Sequence, residues 1–107
     1  MGIIQYNKLV RDLIPDIIAD SGKTCTTVTL STKDYLTMLD AKLNEELAEY
    51  QESKSMEELA DLLEVIRAVA EARGSSFEEV EQIRLDKAKK RGGFEKRLLL
   101  KEVQSEE

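Results

Sequence analysis

The sequence predicts a mostly α-helical chain, a single domain over residues 1–107, and three observations carry that expectation. Apolar residues recur at helical spacing along several stretches. Ser55 with Glu58, and Ser76 with Glu79, form Ser-x-x-Glu pairs where two of those stretches begin, the pattern of a capping box. Gly22, Gly74 and Gly92-Gly93 stand where stretches end.

The elements follow in order. Residues 3–19 open on a short apolar run, then place Leu9, Val10, Leu13, Ile14, Ile17 and Ile18 at helical spacing. Pro15 fits best in a first turn, so this helix is expected to start near Leu13 or to kink there. Residues 24–30, β-branched and weakly alternating, predict a short strand. A long helix is expected after Ser31 or Thr32, running to about Glu52 with Tyr35, Leu36, Leu39, Leu43, Leu47 and Tyr50 as its apolar stripe. Ser53, Lys54 and Ser55 break it. The next helix is expected to bury Leu59, Leu62, Leu63, Ile66, Val69 and Ala70 and to end at Gly74. A third runs from Ser76 through Val80, Ile83 and Leu85 to Gly92-Gly93, and residues 94–103 predict a closing strand. Two antiparallel helices and a third expose more apolar face than so short a chain covers. Tyr35, Met38, Leu39, Val65 and Val69 are expected to meet a second copy, giving a homodimer with a four-helix core or a homotetramer.

Composition narrows the chemistry. The net charge is −6 with few aromatics, which argues against a dedicated nucleic-acid binder. No apolar run reaches the length of a membrane span, and no signal-peptide pattern opens the chain, so a cytoplasmic location is expected. One cysteine, Cys25, excludes an intrachain disulfide, and the absence of histidine excludes a Ser-His-Asp triad and a histidine-ligated zinc site. Catalysis must rest on carboxylates, lysines, tyrosines or a hard metal ion.

Two carboxylate pairs at i, i+3 spacing supply that possibility: Glu46 with Glu49, and Glu58 with Asp61. Projected at about 100° per residue, Glu46 falls inside the apolar stripe between Tyr35 and Leu39, with Glu49 and Lys42 at its edge. Glu58 falls between Val65 and Val69, with Asp61 beside it, whereas Glu57 and Glu64 point to water. Glutamate is almost never buried unless paired or metal-bound, so the pattern separates four acids from the twenty-two in the chain. If the helices fold back on each other, the four converge, and a hard divalent cation such as Mg²⁺, with Mn²⁺ as a substitute, removes their repulsion. Plainer roles compete: Glu58 as the third residue of the Ser55 capping box, and Glu46 as the i+4 partner of Lys42. The cations fall into two groups, Lys8 with Arg11, and Lys87, Lys89, Lys90 and Arg91 before Gly92-Gly93. The second group complements a helix dipole, or it contacts phosphate beside a backbone that can approach an anion closely.

The run from Lys42 to Glu49 (Lys-Leu-Asn-Glu-Glu-Leu-Ala-Glu) followed by Glu58-Leu59-Ala60-Asp61 resembles the MazG-like all-α nucleoside triphosphate pyrophosphohydrolases, whose signature is EExxE with a downstream ExxD. The opening from Tyr6 to Pro15 and the later Lys90-Arg91-Gly92-Gly93-Phe94 resemble the small, single-domain, phosphoribosyl-ATP pyrophosphohydrolase-like branch. The resemblance implies an antiparallel helical bundle, usually oligomeric. It implies Mg²⁺-dependent cleavage of a nucleotide between its α and β phosphates, giving a monophosphate and pyrophosphate, a reaction suited to clearing the nucleotide pool. It implies that Glu46, Glu49, Glu58 and Asp61 hold the metal, with Glu45, the first acid of EExxE, as a secondary candidate. A carboxylate left free by the metal, Glu46 or Glu49, is then expected to position or deprotonate the attacking water. Lys8, Arg11, Lys87 and Arg91 are the candidates for phosphate contact. The spacer from Glu49 to Glu58 is short for the family, and Asp86-Lys87 with Lys90-Arg91 match its late nucleotide-binding motif only loosely. Two alternatives stand: phosphoribosyl-ATP as the substrate, and a non-catalytic helical dimerisation or regulatory module.

Overall fold

The computed structural model describes residues 2–105, and it divides into two compact units, Met1–Phe77 and Glu78–Glu107. Four helices account for its regular structure: α1 (Ile14–Asp20), α2 (Thr32–Ser53), α3 (Met56–Ala72) and α4 (Phe77–Arg91). The chain is mostly helical, as the apolar periodicity predicts.

The two long helices of the first unit each begin at a serine. Ser31 and Ser55 hold extended backbone, and their hydroxyls accept from the amides of Asp34 (3.2 Å) and Glu58 (3.3 Å). Each satisfies a donor the helix cannot, a contribution of about 1 kcal/mol. Lys54 ends α2 in the left-handed region (φ 58°), donating its amide to the Tyr50 carbonyl, and its ammonium lies 5.6 Å from the Tyr50 ring centroid. Ser55 opens α3 at once. So short a connection forces the chain to double back, and α2 and α3 pack as an antiparallel hairpin. Glu46, Glu49 and Glu58 gather toward its closed end, and the Arg73–Asp40 ion pair (3.2 Å) ties the other. Leu39 and Ala70 are its buried apolar residues.

Pro15 falls in the first turn of α1, where its missing N–H leaves no helical bond unmade. Within the first unit, Ile14 and Ile17 of α1 line a cleft together with Tyr35, Leu39 and Val65 of the hairpin. The residues expected to face a partner are partly enclosed within the chain itself. Leu39 is buried, and Tyr35, Met38, Val65 and Val69 are half-buried within the chain. Leu59 and Leu63, expected inside, are exposed together with Leu47 and Met56. The N-terminal segment faces the Tyr35, Leu39 and Val65 side of the hairpin across the cleft, with Val10, Leu13 and Ile17 still exposed.

In the second unit α4 carries Glu78 and Glu79 in its first turn and Lys89, Lys90 and Arg91 in its last, so both ends complement the helix dipole. Gly92 then takes φ 84°, donating its amide to the Ala88 carbonyl (2.8 Å). That conformation carries a penalty for residues with a Cβ and none for glycine. Among the described residues there is no strand, so the strands expected over 24–30 and 94–103 do not form. Both segments are almost wholly exposed. A β-branched or leucine-rich run favours a pleated, half-buried surface, and without a neighbouring backbone to pair with it stays irregular.

Candidate metal centre

Glu46 is the one buried charged residue among those described, only 7% exposed. It sits one turn from Lys42 on the inner side of α2, where the sequence projection places it. Carboxylate oxygens of Glu45, Glu46 and Glu49 lie within 4.8 Å of one another, and so do those of Glu46, Glu58 and Asp61. Glu46 belongs to both triads. The hairpin therefore brings together all four predicted ligands and Glu45.

Both plainer roles are present in part, and neither uses up the carboxylates. Lys42 pairs with Glu46 Oε1 (3.5 Å), yet Glu46 Oε2 is buried with no hydrogen-bond partner. Ser55 caps α3, but the return half of the capping box is absent. The Ser55 amide donates to the Ser53 hydroxyl (3.2 Å), and Glu58 Oε2 is likewise buried and unpartnered. A buried acceptor without a donor carries a desolvation cost that native folds rarely leave uncompensated.

Protonation follows the same geometry. Burial raises the pKa of Glu46 above the usual carboxylate value of 4.5, and the adjoining Glu49 carboxyl adds to the rise against the pull of Lys42. Glu58 is also raised, by desolvation and then by the charges of Glu49 and Asp61. Glu45 moves the other way. Its partial desolvation is outweighed by Lys8 (3.2 Å) and Lys42 (3.4 Å), which hold it below 4.5.

This donor set fits a hard cation. Around one octahedral Mg²⁺ the ligand oxygens stand roughly 3 to 4 Å apart, so modest side-chain rotations close the observed spacing. There is no histidine, and Cys25 is exposed and free, so oxygen is the donor on offer. The two orphaned oxygens of Glu46 and Glu58 are what an ion would satisfy.

The basic residues separate by unit. Lys8 reaches Glu45, and Arg11 donates to Asp61 Oδ1 at 2.7 Å, across fifty residues of sequence. Nothing in the spacing of Lys8 and Arg11 reveals those partners, because only the folded hairpin brings them into reach. Lys87 and Arg91 are exposed on α4, in the second unit. A cleft of about 530 Å³ adjoins the carboxylates. Glu46, Asp61, Lys42 and Arg11 line its polar part, and Leu9, Ile14, Ile17, Tyr35, Leu39 and Val65 its apolar wall. Among the described residues no helix is long and apolar enough to cross a membrane.

No family model and no solved structure matches the chain. A 42-residue stretch is 55% identical to an uncharacterized protein of Mycolicibacterium smegmatis (strain ATCC 700084 / mc(2)155). The match covers 39% of this chain and 43% of that protein.

Proposed function

We propose that the protein is a Mg²⁺-dependent nucleotide pyrophosphohydrolase of the MazG-like kind, cleaving a nucleoside triphosphate to its monophosphate and pyrophosphate. The observation that carries this reading is the buried Glu46 at the junction of two carboxylate triads, with its Oε2 and that of Glu58 unpartnered. A fold that only needed a stable hairpin gains nothing from burying carboxylates without donors.

Glu46, Glu49, Glu58 and Asp61 hold the ion, with Glu45 at the edge of the set. When bound, the ion neutralises carboxylates and polyphosphate together and acidifies a nearby water. The chain's own residues do the rest. A carboxylate that the ion leaves free, Glu46 or Glu49, would position the attacking water and take its proton. Water's oxygen bonds to phosphorus at the α–β bridge, and the bond from phosphorus to the leaving oxygen breaks. Lys8 and Arg11 meet the charge on the departing pyrophosphate, and Lys87 and Arg91 are the further candidates. The cleft, with its apolar wall and Tyr35, is sized for the nucleoside portion of such a substrate. Function is exercised by a homodimer or homotetramer, for which the exposed Leu47, Met56, Leu59 and Leu63 offer an apolar contact face.

The test is a panel of canonical and damaged nucleoside triphosphates, with phosphoribosyl-ATP included, assayed with Mg²⁺ for pyrophosphate release. Turnover of at least one member, abolished by chelation, is the expected result. No pyrophosphate from any member, with Mg²⁺ or Mn²⁺, removes the proposal.

A further inference from the structure

We propose that the N-terminal arm, residues 2–13, is an electrostatic latch on the carboxylate site. Lys8 and Arg11 occupy Glu45 and Asp61 when no metal is bound, and metal loading hands both cations to a phosphate-bearing ligand. The inference rests on the metal-site reading above and goes beyond it by giving the arm a metal-dependent change of partner.

The arm contains no helix or strand up to Leu13, and none of its backbone groups hydrogen-bonds to α2 or α3. Side chains hold it. Leu9, Val10 and Leu13 line the cleft, and the polar attachments are the Lys8–Glu45 and Arg11–Asp61 ion pairs. Both acceptors belong to the carboxylate triads. The arm thus neutralises the rim of the site and leaves its centre alone, because Glu46 Oε2 and Glu58 Oε2 have no partner. Glu46 is more than nine-tenths buried, so its free oxygen is directed at whatever enters there.

Asp61 cannot serve two cations equally. A divalent ion drawn to Glu46 and Glu58 meets Asp61 as the third member of the same triad, with twice the charge of a guanidinium. Arg11 loses its partner because exposed ion pairs are weak, and both of these side chains are about half exposed. Released at the edge of the ion, Lys8 and the planar fork of Arg11 are placed to take phosphate oxygens that the metal does not reach. Metal and phosphate binding are then coupled through one pair of side chains, and that coupling is reciprocal.

Calorimetry on the full chain tests this with two probes, Mg²⁺ alone and then inorganic pyrophosphate added to Mg²⁺-saturated protein. The double substitution Lys8→Ala, Arg11→Ala is expected to tighten Mg²⁺ binding about two- to fivefold, by removing the competing cations. The same substitution is expected to weaken pyrophosphate binding by about tenfold or more. Lys33→Ala removes one positive charge at a point twelve residues from Glu45 on the same helix. That is about 18 Å, beyond the screening length. It should leave both affinities unchanged, and if it tightens Mg²⁺ binding as much, net charge replaces the latch as the explanation. Arg11→Gln alone repeats the measurement should the double variant melt early. Mg²⁺ affinity unchanged or weakened in the variants overturns the latch and leaves the metal site standing. A fall in both affinities marks the arm as merely structural. No Mg²⁺ binding by the parent chain overturns the metal reading and the latch together.

Discussion

The two units treat charge in opposite ways. Residues 1–77 hold fourteen of the twenty-two acids, and there one carboxylate is buried and its neighbours converge around it. The stretch 84–101 holds eight cations against two acids, yet α4 buries no residue and its charges lie along the surface. Charge density alone therefore does not bury a charge. In the first unit a two-residue turn folds two capped helices onto each other, and the desolvation that follows raises Glu46 and Glu58. In the second unit no such packing desolvates the cations, and they suit a helix C-terminus as well as they suit a ligand.

The largest expected effect breaks the first unit's side of that contrast. Glu46→Gln, Glu58→Gln and Asp61→Asn each lose an anionic oxygen at nearly constant shape, and each should reduce Mg²⁺-dependent turnover below a tenth of the parent while the helical circular dichroism persists. More than a tenth retained in all three sinks the assignment. The second unit gives the next effect. Lys87→Ala and Arg91→Ala should change KM or kcat by about tenfold if these cations touch phosphate, with Mg²⁺ affinity unchanged in the absence of nucleotide. Unaltered kinetics with a lowered melting temperature assign them to the helix dipole instead, a contribution of about 0.3–1 kcal/mol.

Metal binding probes the same difference through stability. Mg²⁺ at about a hundred times its Kd should stabilise the native state by about 2.7 kcal/mol, raising the melting temperature by on the order of 10 °C. Glu46→Gln should shrink the rise, and an unchanged melting temperature in the parent counts against a metal centre. The smallest effect is on pH. Glu46 and Glu58 have folded pKa values raised above 4.5, so the stability they contribute is complete below 4.5 and is lost as pH rises through their folded values. Glu45 is depressed, so its contribution is present above 4.5 and lost on further acidification. Metal-free protein should therefore melt at higher temperature as pH falls from neutrality toward 4.5. Glu46→Gln should flatten that trend, as thermal scans across the range would show.

Sequence by itself determined the helices and the identity of the acids. Ser31, Ser55, Gly74 and Gly92 act within a turn of their own position, so local pattern placed the ends of α2, α3 and α4 to within a residue or two. The 3.6-residue period likewise put Glu46 on the inner side of α2, and the structure buries it. Segments 24–30 and 94–103 read as strands because side-chain preference is local, whereas a strand exists only when another backbone pairs with it. Tertiary structure decided what covers what. The arm takes the side of the hairpin on which Tyr35, Leu39 and Val65 stand, and leaves Leu59 and Leu63 in water. It also set Lys8 on Glu45 and Arg11 on Asp61. Those pairings depend on how the chain closes a long loop, and loop closure leaves no period in the sequence.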